Sequence, residues 1–182
     1  IINGEKHSGT TAHFVNNQID EGDIIKIKKC KITNSDTGYS LYNKVEIISL
    51  DLFIQLINNI KENKKIKLKK IKQNKGKYYS RKLPYEGIIN WNWKSKNIHN
   101  FIRALNSPDH QGAKTIFLKY SLEINKIKIL KEKSTMKPGF FTKLKNNCYK
   151  VSTSDYNTVI QSKELQKIIN DNQSIKIYNF SQ

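Results

Sequence analysis

Long apolar runs are missing from this chain. None approaches the roughly 18 residues needed to span a bilayer, and no signal-peptide pattern opens the sequence. A membrane-embedded reading is thereby set aside, and a cytoplasmic protein is expected. Cysteine is scarce: Cys30 and Cys148 lie far apart and without the spacing of metal ligands, so two reduced thiols and no metal site are expected. Arginine is rarer still for so basic a chain. Only Arg81 and Arg103 occur, although Lys+Arg number 33 against 15 Asp+Glu, a formal net charge of +18. A surface that reads nucleic-acid sequence favours arginine, whose planar fork pairs with phosphate and guanine edges. Lysine spread through an Ile- and Asn-rich chain is compatible with RNA contact without demonstrating it, and biased codon usage produces the same composition.

What remains describes a globular chain on the polar side, with mean hydropathy −0.66. Its 182 residues are enough for one domain or two small ones. It opens Ile1-Ile2-Asn3-Gly4-Glu5, without a methionine, and reads as the carboxy-terminal portion of a longer protein. No internal repeat is evident.

Gly9-Thr10-Thr11-Ala12-His13-Phe14-Val15, then Ile19-Asp20-Glu21-Gly22-Asp23-Ile24-Ile25, reads as strand, polar turn, strand. Asp20 then stands on a loop between two anchored segments, a place that suits a catalytic carboxylate. The same tetrapeptide in isolation is ordinary turn chemistry. Ile25, Ile27, Cys30 and Ile32 alternate as in a half-buried strand. Thr33 to Thr37 reads as a turn and helix cap, and Leu41, Val45, Ile48, Leu52, Leu56, Ile57 and Ile60 predict an amphipathic helix to about Asn59 that covers a sheet face. Lys61 to Lys75 reads as a solvated, lysine-guarded edge or linker strand.

Farther on, an aromatic piece (Tyr78, Tyr79) leads into a Pro84–Gly87 turn and a short strand ending at Trp91. Ser95 is expected to cap a helix from Asn97 to Leu105, with Ile98, Phe101, Ile102 and Leu105 on one face. Short strands follow at Ala113–Leu118, Ile124–Leu130, Tyr149–Ser152, Asn157–Ile160 and Ile175–Phe180, with a helical piece at Ser162–Ile169. The last part therefore reads as a small barrel-like β domain.

The pattern G-T-T-x-H-F-V-x(4)-I-D-x-G-D-I-I over Gly9–Ile25 resembles the signature loop of the folate-dependent formyltransferases. Two further stretches are similar to the segment joining that family's domains: Tyr79-Ser80-Arg81-Lys82-Leu83-Pro84-x-x-Gly87-x-Ile89-x-Trp91, and Ile102-Arg103-Ala104-Leu105-x-x-Pro108-x-x-x-Gly112-Ala113. Lys137-Pro138-Gly139 resembles a turn of its carboxy-terminal domain. Asn90, Glu86 and His110-Gln111 depart from the family pattern, which puts substrate contacts in doubt rather than the family.

The resemblance implies an α/β fold class: the remainder of a Rossmann-like formyltransferase domain in residues 1–92, including a linker, then a small OB-like β-barrel domain in 93–182. It implies an enzyme that moves a formyl group from 10-formyltetrahydrofolate, its formyl donor, to a primary amine. That chemistry needs a neutral amine, donors for the developing oxyanion, and a path for the amine proton. Asp20 matches the family's catalytic Asp, and Ile19, Asp20, Glu21, Gly22 and Asp23 are the implied folate-pocket loop. Arg81, at the domain junction, and His13 are the implied substrate contacts. For each, a plain reading stands beside it: a surface ion pair for Arg81, a satisfied core-side histidine for His13. Trp91, Tyr78 and Tyr79 are candidates to stack on a nucleobase or to pack the junction; His7 is read as non-catalytic. The family's Asn-x-His segment would precede Ile1, so these residues alone are expected to be inactive. The implied acceptor is a nucleotide-linked amino sugar, with homodimer formation open and no membrane partner. The alternatives are methionyl-tRNA formyltransferase, with tRNA as partner, and a non-catalytic lysine-rich binding module.

Overall fold

The computed structural model describes residues 1–17, 20, 22–62, 82–108, 112–171 and 180. The chain divides into two compact units. One gathers Ile1–Gly4, Thr37–Tyr39 and Lys82–Gln182; the other gathers Glu5–Asp36 and Ser40–Arg81. They are called here the carboxy-terminal and amino-terminal units, and each is taken by itself.

In the amino-terminal unit, β1 (His7–His13) pairs antiparallel with β2 (Ile24–Lys31), from His7 opposite Lys31 to Ala12 opposite Lys26. The register then slips, so that His13 faces Ile24. Helix α1 (Gly38–Lys61) belongs to the same unit, apart from its first two residues. It ties to β2 through a Lys28–Asp51 ion pair and through Lys26 Nζ, which donates to Gln55 Oε1 at 2.8 Å. The predicted stripe Leu41, Val45, Ile48, Leu52 and Leu56 is buried or half-buried, whereas Ile60 is exposed. A second stripe, Ile47, Leu50 and Ile54, escapes the periodicity argument and lies open to solvent.

Asp36 fastens the turn before α1. Its carboxylate accepts from the Thr33 backbone N–H at 2.6 Å, from the Thr33 and Ser40 hydroxyls, and from Lys44 Nζ at 2.7 and 2.8 Å. The Lys44 ammonium, then the Thr33 and Ser40 donors, hold this carboxyl well below the usual carboxylate range, against a smaller opposing effect of burial. It is 4% exposed, covered by its own partners rather than sunk in a core.

The carboxy-terminal unit holds a true core. Helix α2 (Ser95–Leu105) buries Ile98, Phe101, Ile102 and Leu105, the face the spacing predicted. The hairpin β3 (Lys114–Phe117) with β4 (Tyr120–Glu123) adds Phe117 and Leu122. A four-stranded antiparallel sheet, ordered β5 (Ile127–Lys133), β8 (Tyr156–Gln161), β7 (Cys148–Val151), β6 (Phe141–Lys143), adds Ile127, Ile160, Tyr149, Val151 and Phe141. Helix α3 (Lys163–Asp171) closes on Leu165 and Ile169. Phe180 stacks on Trp91 at 5.3 Å and on Phe141 at 4.5 Å between centroids. The unit is thus β-rich with helices, and the sheets among the described residues are this four-stranded one and the two-stranded β3–β4.

Several expectations are corrected here. Ser95 does not cap α2: Lys94 stands at the cap position without a side-chain bond. Instead Ser95 is inside the helix, and its N–H donates to Asp155 Oδ1 at 2.8 Å. A carboxylate from 60 residues away so takes the place of a local cap. No strand ends at Trp91. Pro84–Gly87 forms a short 3-10 turn, and only Ile88 makes an isolated bridge, to Lys114. The apolar run at Ile124 is not one strand: β4 ends at Glu123 and β5 begins at Ile127. Strand β6 escaped prediction because three residues give no measurable alternation. Positions 63–75, within the predicted edge strand, and 175–179, within the last one, lie outside the described residues.

Candidate active site

The loop between β1 and β2 is held shut at its neck. Phe14 N–H donates to the Asp23 carbonyl at 3.0 Å, one step past the last strand pair. Gly22 is required there. A Cβ on it would stand 1.5 Å from the Phe14 carbonyl oxygen and 3.1 Å from His13 Nδ1. Any side chain would therefore force the neck open.

The slip at Ala12/His13 is a bulge, which places an extra β2 residue against one β1 residue and re-aims the side chain beside it. His13 so turns to the loop. Its Nδ1 lies 2.9 Å from the Phe14 carbonyl oxygen, which can only accept, so Nδ1 is the donor. The other ring nitrogen, Nε2, then lies 3.7 Å from Asp20 Oδ1. The His13 side chain is 26% exposed and that of Asp20 87%. Asp20 adopts φ 58°, the left-handed region that Asp tolerates better than most non-glycine residues.

Of the residues singled out by sequence, the fold brings His13, Asp20, Gly22 and Asp23 into one loop. His13 is partly buried, with Nδ1 hydrogen-bonded to the Phe14 carbonyl, and neighbours Asp20. Ile19, Glu21, Arg81, Tyr78 and Tyr79 lie outside the described residues. Trp91 is fully buried, with Nε1 donating to Thr115 Oγ1 at 2.9 Å, so it has no face free to stack on a nucleobase. His7, at the far end of β1, pairs with Lys31. Sequence reasoning missed the backbone of Phe14, which both latches the neck and orients the imidazole; no residue-type signal marks a main-chain role. Among the described residues no three His, Cys, Asp or Glu side chains are grouped to hold a metal ion. No described helix is long and apolar enough to cross a membrane.

Chemically, the site sets an exposed carboxylate near an oriented imidazole at the tip of a latched hairpin. The chain as a whole is mixed α/β, with a hairpin unit and a β-rich carboxy-terminal unit. Comparison with known proteins gives the class. Residues 1–57 match the formyl transferase family and residues 82–180 match the formyl transferase C-terminal domain. The chain belongs to the formyl transferase family.

Among curated relatives, the methionyl-tRNA formyltransferase of Clostridium tetani is 32% identical over 155 residues, covering 85% of this chain and 49% of that protein. The bifunctional polymyxin resistance protein ArnA of Wigglesworthia glossinidia brevipalpis is 36% identical over 108 residues, 59% of this chain and 16% of that protein. Among solved structures, WlaRD, a sugar 3N-formyl transferase crystallised in the presence of dTDP and 5-N-formyl-THF, superposes with a TM-score of 0.65 at 28% identity. The match covers 88% of this chain and 56% of that one. The N-formyltransferase of Helicobacter canadensis, in complex with folinic acid and dTDP-3-aminofucose, gives 0.57 at 26% identity, covering 88% and 57%. The chain spans about half the length of the methionyl-tRNA formyltransferases it matches.

Proposed function

We propose that this chain is the hairpin-bearing and carboxy-terminal part of a formyltransferase that formylates the primary amine of a nucleotide-linked amino sugar. The observation that supports it is the approach of Asp20 to His13 on a loop that Gly22 alone permits. Asp20 would accept a hydrogen bond from the acceptor amine, or from a histidine brought by another segment, and so hold the amine lone pair toward the reacting carbon. His13, fixed by the Phe14 carbonyl, would border that carboxylate. When bound, 10-formyltetrahydrofolate would supply the formyl group. The donor set fits its pterin edge, since an exposed carboxylate and the main chain of a glycine turn offer acceptors and donors side by side. Ile19 to Asp23 would hold it, and Arg81 would meet a phosphate of the acceptor.

The sugar acceptor is favoured by WlaRD and the Helicobacter canadensis protein, both sugar enzymes at 25–30% identity. A second reading, methionyl-tRNA formyltransferase, draws on the Clostridium tetani relative and on the +18 charge. The division at residue 92, a barrel-like carboxy-terminal domain, a cytoplasmic setting and a homodimer belong to the same proposal.

The test uses the protein expressed from its complete open reading frame. It is incubated with 10-formyltetrahydrofolate and a panel of nucleotide-linked 3-amino and 4-amino sugars, with charged initiator tRNA alongside, and the added formyl mass is sought. A formylated sugar that disappears with Asp20→Asn supports the proposal. Formylation of tRNA alone moves the case to the second reading. Silence on every acceptor rejects both and leaves a lysine-rich binding module.

A further inference from the structure

Helix α1 is apolar on two sides, and only one of them is covered. The stripe Leu41, Val45, Ile48, Leu52 and Leu56 is buried or half-buried, whereas Ile47, Leu50, Phe53, Ile54 and Ile60 are each between 50% and 69% exposed. Helices that are apolar all round are normally buried, because each apolar face left in water is unfavourable. Single exposed apolar residues are ordinary, but a contiguous stripe of large ones marks a contact surface.

The spacing says what kind of surface fits. Ile47, Leu50, Ile54 and Ile57 follow at steps of three, four and three, and Phe53 and Ile60 flank them one heptad apart. Alternating steps of three and four keep a seam in line along a second helix. A face laid on a sheet has no such requirement.

The ends of the seam carry opposite charges. Glu46 lies one heptad before Phe53 and Lys61 one heptad after Ile54, so both belong to this face, and both are exposed. Two copies of α1 can be set antiparallel with the two-fold axis between Phe53 and Ile54. Leu50 then meets Ile57, Ile47 meets Ile60, and Glu46 meets Lys61 at both ends. A parallel pair would instead put Glu46 on Glu46 and Lys61 on Lys61. The stripe is therefore complementary to itself in one orientation only. Its exposed side chains offer on the order of 500 Å² of apolar surface per copy, so a pair would bury about 1,000 Å², the threshold for a specific interface.

We propose that the outer stripe of α1 is a homodimer interface, made by antiparallel pairing of this helix with the same helix of a second copy. The inference rests on the homodimer of the proposed function and gives it a surface; it does not depend on which amine is the acceptor.

The test is sedimentation equilibrium over the micromolar range, on the protein expressed from its complete open reading frame. A reversible dimer is expected. Phe53→Asp sets two carboxylates together at the axis and raises the dissociation constant about a hundredfold or more. Glu46→Lys and Lys61→Glu each set like charges against each other at both ends and raise it about tenfold. Lys61→Glu also opposes the helix dipole, so the deciding result is the double variant Glu46→Lys with Lys61→Glu, which restores the original constant. The charge pair keeps the test informative if Phe53→Asp disturbs the fold. A monomer throughout the range overturns the proposal, as does a dimer that none of these variants weakens. Loss in both single charge variants without recovery in the double variant rejects antiparallel pairing. A monomer whose stripe is protected from hydroxyl-radical labelling would assign the surface to another segment of the polypeptide, also against it. Formyl transfer by a monomer rejects the interface and keeps the enzyme reading. A dimer that follows the charge cycle without formyl transfer does the reverse.

Discussion

The two units are built on opposite terms. In the carboxy-terminal unit the buried cluster runs from Ile89 to Phe180 and joins helix, hairpin and sheet. In the amino-terminal unit Leu52 is the one buried apolar residue among those described, and Phe14, Val15, Ile27, Ile47, Leu50, Phe53 and Ile54 are exposed. Among the described residues, the contacts that stand out in that unit are directional: strand pairing, the Phe14–Asp23 latch, the Asp36 cluster and the Lys28–Asp51 pair. Apolar burial is cumulative and tolerant, at about 25 cal/mol per Å², whereas each latch depends on a particular atom. The stable unit should therefore resist all but core truncations. The hairpin unit should fail at single points, which is the character expected of a region that carries chemistry.

The largest effect should come from Trp91→Ala. Removing a fully buried ring that stacks on Phe180 and bonds Thr115 is expected to cost about 3–5 kcal/mol in urea unfolding of the carboxy-terminal unit. A loss below about 1 kcal/mol would dissolve the contrast.

Next is Gly22→Ala. The new methyl must displace the Phe14 carbonyl, and formyl transfer by the intact enzyme should fall about a hundredfold, the usual result of misplacing a reacting group by an ångström. The unfolding midpoint of the carboxy-terminal unit should stay unchanged. If both change together, the two units are one cooperative body.

Asp36 gives the pH test. Its folded pKa is depressed, so its contribution is full above the ordinary carboxylate range and is lost as pH falls through the folded value. Hydrogen-exchange protection factors in α1, taken against the intrinsic rate at each pH, should fall as pH drops below about 4. Asp36→Asn should remove the pH step at a cost of about 1–3 kcal/mol, kept modest because Lys44 is 41% exposed. Asp155 offers a smaller counterpart in the other unit. Burial alone would raise its pKa, but the N–H groups of Ser95 and Tyr156 and the Thr153 hydroxyl outweigh it and lower it. Asp155→Asn should cost about 1 kcal/mol, read by α2 exchange protection.

The smallest effect should be Leu50→Ser. On an exposed stripe it should move the stability of the dilute, monomeric protein by no more than about 0.5 kcal/mol. A larger loss in protein from the complete reading frame would mean that the stripe is covered there.

Local spacing alone fixed a good deal. The apolar face of α2 follows from positions 98, 101, 102 and 105, and the strand–loop–strand around Asp20 from its alternation and Gly22. The inner stripe of α1 was legible for the same reason: helical and extended periods are properties of neighbouring residues. Tertiary structure decided the rest. The bulge that brings His13 to Asp20 depends on the register between two strands, not on either strand's composition. Asp155 closes α2 from 60 residues away, where no capping rule looks. Trp91 and Trp93 are alike in sequence, yet one stacks on Phe180 in the core and the other borders a cavity with Tyr85. Propensity says how a segment bends; which of its faces meets a partner is set by distant chain brought close, and that contact exists only once the fold is made.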